Sequence, residues 1–179
     1  MEFDEVVKKR RSVRNFLTKL DVSLDILEKI IESGMEAPSV GDLQPWQFII
    51  IKKRENIEKI AEYSFQDWIK SANTLIVVVG EKNLVKLSYE ERVCENLHQT
   101  IGACIQNMLL KATELGVGSC WIGVFDKEKI EELLEIPKTK ECCAIIALGY
   151  SNEKPRKKIK KSLELNTFFE KYGKKFEGN

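Results

Sequence analysis

One histidine, His98, stands in 179 residues, and that scarcity removes several chemistries at once. A Ser-His-Asp or Cys-His arrangement has only this imidazole to use. His98 falls between Leu97 and Ile101 in a helical pattern, where a structural role suffices. Zinc is disfavoured for the same reason. The five cysteines (Cys94, Cys104, Cys120, Cys142 and Cys143) are odd in number and lack C-x-x-C spacing. They read as buried free thiols in a reducing cytoplasm rather than as a disulfide framework. No G-x-G-x-x-G follows a strand and no G-x-x-x-x-G-K-[ST] is present, which excludes the dinucleotide fingerprint and the phosphate loop. No apolar run reaches membrane-spanning length; the longest, such as Leu75 to Val79, suit strands. Charge of one sign is not in excess either. A net charge of +1 gives no global field toward nucleic acid or anionic membrane, so neither is expected as a partner. The start, Met1-Glu2-Phe3-Asp4-Glu5, lacks the basic and apolar regions of a signal peptide, and a cytoplasmic location is expected.

What is present is a soluble, globular balance of 43% hydrophobic and 32% charged residues, read as a single domain over 1–179. Phe3, Val6 and Val7 recur at helical spacing. Asp21 or Ser23 caps a helix with Leu24, Leu27, Ile30 and Ile31 on its apolar face, with Gly34 and Pro38 as its stop. Trp46 to Ile51, Leu75 to Gly80 and Cys142 to Gly149 read as buried strands, and Ser119 to Gly123 as a short one. Glu55 to Tyr63 is a short helix, and Asp126 caps another carrying Ile130, Leu133 and Leu134. The longest helical pattern runs from about Glu90 to Gly116, with Gly102 and Ala103 small enough to admit a second helix. After Tyr150 come a basic run, Lys154 to Lys161, and an aromatic tail that calls for burial, for which a partner subunit is one answer. Strands alternating with helices point to an α/β or α+β domain.

With side chains so poorly equipped for hard chemistry, a cofactor has to carry it. The polar candidates for holding one lie in four places, each with a plainer reading. Arg10, Arg11, Ser12 and Arg14 offer forks of N–H donors that match phosphate and carbonyl oxygens, yet cations also favour the negative end of a helix. Ser39 and Asp42, in the loop from Pro38 to Gln44, form turns by default. Trp121 is by default a core aromatic, and the basic run a solvated linker.

Four pieces in order resemble the flavin-dependent nitroreductase family over nearly the whole chain. Arg10-Arg11-Ser12-Val13-Arg14-Asn15-Phe16 looks like the family's R-R-S-x-R-x-F, and Ala37-Pro38-Ser39-Val40-Gly41-Asp42-Leu43-Gln44-Pro45-Trp46 is similar to A-P-S-x-x-N-x-Q-P-W. Gly116-Val117-Gly118-Ser119-Cys120-Trp121-Ile122-Gly123 resembles G-x-G-x-C-W-I-G, and Ala147-Leu148-Gly149-Tyr150 the A-L-G-Y ending. The resemblance implies an α+β nitroreductase-like fold, a central mostly antiparallel sheet flanked by helices, in an intertwined homodimer. It implies FMN at the subunit interface and NAD(P)H as co-substrate. Arg10, Ser12 and Arg14 would contact the phosphate, ribityl chain or pyrimidine edge, with Arg11 nearby. Pro38, Ser39 and Gly41 would come from the other subunit, with Gln44 helping to hold their loop. Trp121, Ile122 and Gly123 would lie near the flavin ring, Lys158 and Lys160 on the phosphate, and Gln66 at the polar edge.

The implied activity is ping-pong hydride transfer through flavin N5 to small electron-poor acceptors such as nitroaromatics or quinones, with no side-chain nucleophile. Arginines beside the reduced, anionic ring stabilise it electrostatically. A flavin-storing or regulatory dimer, or a specialised reductase with another electron donor, is the alternative; consumption of NAD(P)H separates the two. Two departures stand out. Asp42 replaces the usual Asn, and the chain lacks the long insertion with which many members cap the substrate pocket.

Overall fold

Short runs rich in β-branched residues become the four strands of one antiparallel sheet. In the computed structural model, which describes residues 1–88, 93–153 and 159–175, these are β1 (Trp46–Ile51), β2 (Thr74–Gly80), β3 (Gly118–Ile122) and β4 (Glu141–Gly149). Their order is β1-β2-β4-β3, with every strand pair antiparallel. The central pair, β2 and β4, is covered on both faces, which is why both read as unbroken apolar runs. β1 departs from the buried strand expected. Among the described residues it pairs only with β2, and Gln47 and Ile50 are exposed along it.

Helices cover the two faces. On one face Ile76, Val78, Ala144, Ile146 and Leu148 pack with Leu27 and Ile30 of α2 (Leu24–Met35) and with Leu97, Ile101, Ile105 and Met108 of α5 (Val93–Glu114). On the other, Leu75, Val77, Val79, Ile145 and Ala147 meet Ile57 and Ile60 of α3 (Arg54–Tyr63), Ile130 of α6 (Lys127–Leu133), Ile69 and Phe16. The Asp126 carboxylate caps α6 by accepting from the Lys129 N–H at 3.2 Å, as its position before the helix predicts. The remaining helices are α1 (Phe3–Lys9), α4 (Lys82–Ser88), which the sequence reading did not separate, and α7 (Leu163–Asn166).

α2 ends at Met35, between Gly34 and Pro38 as expected. Gly34 also lies buried, where a Cβ would come 2.6 Å from Met108 Cγ, so the missing side chain permits the close approach of α2 to α5. Over Gly102 lies the Trp121 ring, 3.7 Å from where a Cβ would stand, an ordinary contact distance.

A second pair of glycines seats the arginine segment. Gly118 and Gly149 face each other across β3 and β4. A Cβ on Gly118 would meet Val13 Cγ1 at 3.2 Å, and one on Gly149 would meet Phe16 Cδ1 at 2.9 Å. The bare backbone lets Val13 and Phe16 lie flat on the strand ends. Gly149→Ala is expected to destabilise the protein by ~1–3 kcal/mol, because the Phe16 ring is buried and cannot swing away. Thermal unfolding checks this, and an unchanged Tm would mean that the segment shifts freely.

The described tail contributes nothing to either cluster. Leu163, Leu165, Phe169 and Tyr172 are all exposed, and the Phe168 and Tyr172 rings pack on each other at 4.6 Å.

Candidate functional site

From Ser12 to Leu17 the chain runs over the end of the sheet on backbone hydrogen bonds. Ser12 bridges Ser119 in parallel fashion, the Val13 N–H donates to the Ser119 carbonyl at 2.9 Å, and the Leu17 N–H donates to the Tyr150 carbonyl at 2.8 Å. From the other side the Phe16 N–H donates to Ser71 Oγ at 3.2 Å, and that hydroxyl donates to the Trp68 carbonyl at 2.8 Å. The segment is thereby pinned on both flanks, so the side chains it carries start from fixed positions.

Arg14 extends over the Trp68 ring, its guanidinium carbon 5.8 Å from the ring centre. Trp68 Nε1 donates to Gln66 Oε1 at 2.9 Å, and Gln66 Nε2 donates to the Val124 carbonyl at 3.5 Å. Gln66 therefore braces the indole that supports Arg14. Cys120 borders the same group. Burial pushes its thiol up, while Arg14, a Ser12 hydrogen bond and Arg10 pull the other way. Ser119 Oγ, at the bridge to Ser12, is buried and has no hydrogen-bond partner among the described residues. Two arginines, two serine hydroxyls and a supporting indole thus meet at the edge of β3. Arg11 is directed differently, donating to the carbonyls of Lys8 and Arg10 at the end of α1.

Trp121 is not the core aromatic that composition suggests. It is 42% exposed, lying against α5 beside the exposed Gly123, while Ile122 turns into the core. The loop from Pro38 to Gln44 is a separate structure in the same chain. Its bonds run within itself and to α5: Val40 N–H to Thr100 Oγ1 at 3.2 Å, Gln44 N–H to Ser39 Oγ at 3.1 Å. Gly41, Asp42 and Gln44 all hold positive φ, near 50°, a tight conformation that only glycine adopts without strain. The Asp42 carboxylate accepts from Gln44 Nε2 at 3.2 Å, so the residue that departs from the family pattern is spent inside the loop. Lys160 is exposed, and Lys158 lies outside the described residues.

Among the described cysteines no activated nucleophile emerges. Cys104, Cys120, Cys142 and Cys143 are free, and burial pushes the thiols of Cys104, Cys142 and Cys143 up to about 12. The sequence reading missed Trp68 and Ser119. Trp68 lies 54 positions from the arginine it supports, in a segment with no motif, whereas Ser119 sat inside a quoted motif without a stated role.

This donor set on the edge of a two-faced antiparallel sheet has the chemistry that suits an anionic small molecule. The chain belongs to the nitroreductase family, whose model matches residues 7–150. A relative from Archaeoglobus fulgidus, provisionally named NADH dehydrogenase/NAD(P)H nitroreductase, is 34% identical over 154 residues, covering 83% of this chain and 85% of its own. The oxygen-insensitive NADPH nitroreductase of Helicobacter pylori strain J99 is 30% identical over 193 residues, with 88% and 91% covered. Among solved structures, an FMN-dependent nitroreductase from Clostridium difficile R20291 is 25% identical with a TM-score of 0.80, covering 93% of this chain and 98% of that one. Among the described residues no helix is long and apolar enough to cross a membrane.

Proposed function

We propose that the chain is an FMN-dependent oxidoreductase, active as a homodimer, that passes hydride from NADH or NADPH to small electron-poor acceptors such as nitroaromatics or quinones. The observation that carries this reading is the pinned segment bearing Arg10, Ser12 and Arg14 against Ser119 and Cys120. FMN has the chemistry this donor set suits: a phosphate for charge-assisted hydrogen bonds and a ring edge of carbonyls for the remaining donors. The orphaned Ser119 hydroxyl adds unspent capacity at the bridge. Bound FMN would supply a hydride acceptor that no side chain of this protein supplies.

The residues divide the work. Arg10, Ser12 and Arg14 bind and orient, and the positive charge of the two arginines favours an anionic ring edge. The Trp121 face and the Gly123 backbone border the ring. Pro38, Ser39 and Gly41 of the second subunit complete the site, with Gln44 holding their loop through Asp42. Lys158 and Lys160 add positive charge at the phosphate. The exposed apolar tail supports the second subunit.

The visible spectrum of the purified protein, followed anaerobically as NADH and then NADPH are added, tests the proposal. Stoichiometric flavin that bleaches, and recovers its colour with a nitroaromatic or quinone, is the expected result. Flavin that neither nucleotide bleaches would favour the storage or alternative-donor reading, and no flavin after reconstitution with FMN would overturn both.

A further inference from the structure

At the end of β4 away from the arginine segment, three metal-ligating side chains meet. Val78 pairs with Ala144 and Val79 with Cys142, so Cys143 is the extra residue of a β-bulge, a device that re-aims a side chain. Its Sγ occupies the space a Cβ on Gly80 would need, 2.7 Å from that position. Glu141, the first residue of β4, is only 4% exposed. Lys127 Nζ pairs with its Oε2, but Oε1 is buried and has no hydrogen-bond partner among the described residues. His98 Nε2, reaching from α5, stands 3.4 Å from that orphaned oxygen. One ligand atom each from His98, Glu141 and Cys143 lies within 4.8 Å of the others.

We propose that His98, Glu141 and Cys143 form a mononuclear site for a divalent transition metal, of which Zn(II) is the best match. A thiolate, an imidazole and a carboxylate select zinc over magnesium or calcium, which take oxygen ligands. The 3.4 Å separation of nitrogen and oxygen is the edge of a tetrahedron whose metal bonds are ~2.1 Å. The two edges to Cys143 Sγ are at most 4.8 Å and have to shorten by up to ~1 Å, through small shifts of Cys143 together with the half-exposed His98 side chain. His98 also opens the site to solvent, so water takes the fourth position. On binding, the Cys143 sulfur gives up its proton to solvent and bonds the metal, and no electron is transferred. The orphaned Oε1 gains a partner while Oε2 keeps Lys127. The scarcity of histidine argued against zinc in the sequence; mixed ligands from two elements and a bulge evade that argument. The site is independent of the flavin reading.

The test uses the full chain as purified, stripped of metal by a chelator and titrated with Co(II), then Zn(II). One Co(II) per chain is expected, with a thiolate-to-cobalt charge-transfer band and tetrahedral d–d bands to the red of the flavin, all abolished by Zn(II). His98→Ala and Cys143→Ser should each weaken Zn(II) binding by more than ~100-fold, since losing a direct ligand exceeds the loss from a supporting one. Circular dichroism and cooperative thermal unfolding confirm that each variant is folded; should Cys143→Ser not fold, His98→Ala alone decides. Absence of the thiolate band, or Zn(II) affinity unchanged in the folded variants, overturns the proposal.

Discussion

Arg10→Ala combined with Arg14→Ala is expected to yield a folded protein that purifies without colour. Each guanidinium provides charge-assisted hydrogen bonds worth ~1.5–3 kcal/mol to an anionic group. Together they account for ~3–6 kcal/mol, and FMN affinity should fall by ~100- to 10,000-fold. The fold should survive, because the segment is held by backbone bonds to Ser119 and Tyr150 and by the seats of Val13 and Phe16, none of which the substitutions touch. Arg11→Ala is the informative control. Its guanidinium donates to carbonyls at the end of α1, so its loss should weaken flavin binding far less. Fluorescence titration of the apoprotein with FMN measures all three. Undiminished affinity in the double variant would remove the arginines from the proposed site.

Ending the chain after Lys161 is expected to convert the proposed dimer to monomers and to release FMN with it. The truncation keeps Lys158 and Lys160 but removes Leu163, Leu165, Phe169 and Tyr172, all exposed and outside both apolar clusters of the described residues. Burying apolar side chains of this size stabilises by ~1.5–3 kcal/mol each, less when the free tail already shields some surface. A conservative ~4 kcal/mol raises the dimer dissociation constant by ~1000-fold. Analytical ultracentrifugation across a concentration series reads the change. A truncated chain that stays dimeric with full flavin would place the interface elsewhere.

Much of the architecture was legible because burial on both sides leaves an unmistakable trace. Leu75 to Val79 and Cys142 to Gly149 have no polar face, and they are the two central strands. β1 carries the same composition yet lies at an edge, because a run of isoleucines does not reveal how many neighbours it will have. The arginine segment was legible since its donors are consecutive in the chain. What supports it was not. Arg14 to Trp68 and Gln66 to Val124 are contacts between distant segments with no periodicity to link them. The grouping of His98, Glu141 and Cys143 depends on a bulge, a one-residue slip in pairing that no local pattern announces. Gly34 was legible as marking the end of α2, whereas the room it leaves for Met108, on a helix far along the chain, was not.

The uncovered tail also sets an order of events in synthesis. Both apolar clusters draw on residues no later than Tyr150, so the body can close before the segment from Leu163 onward has found a companion. Closing the body is then a unimolecular process, indifferent to how much protein the cell makes, while tail docking depends on encounter and accelerates with expression. In the proposed dimer, subunits trade partners by releasing tails without opening either core. Dilution would therefore idle the enzyme reversibly, leaving its fold intact.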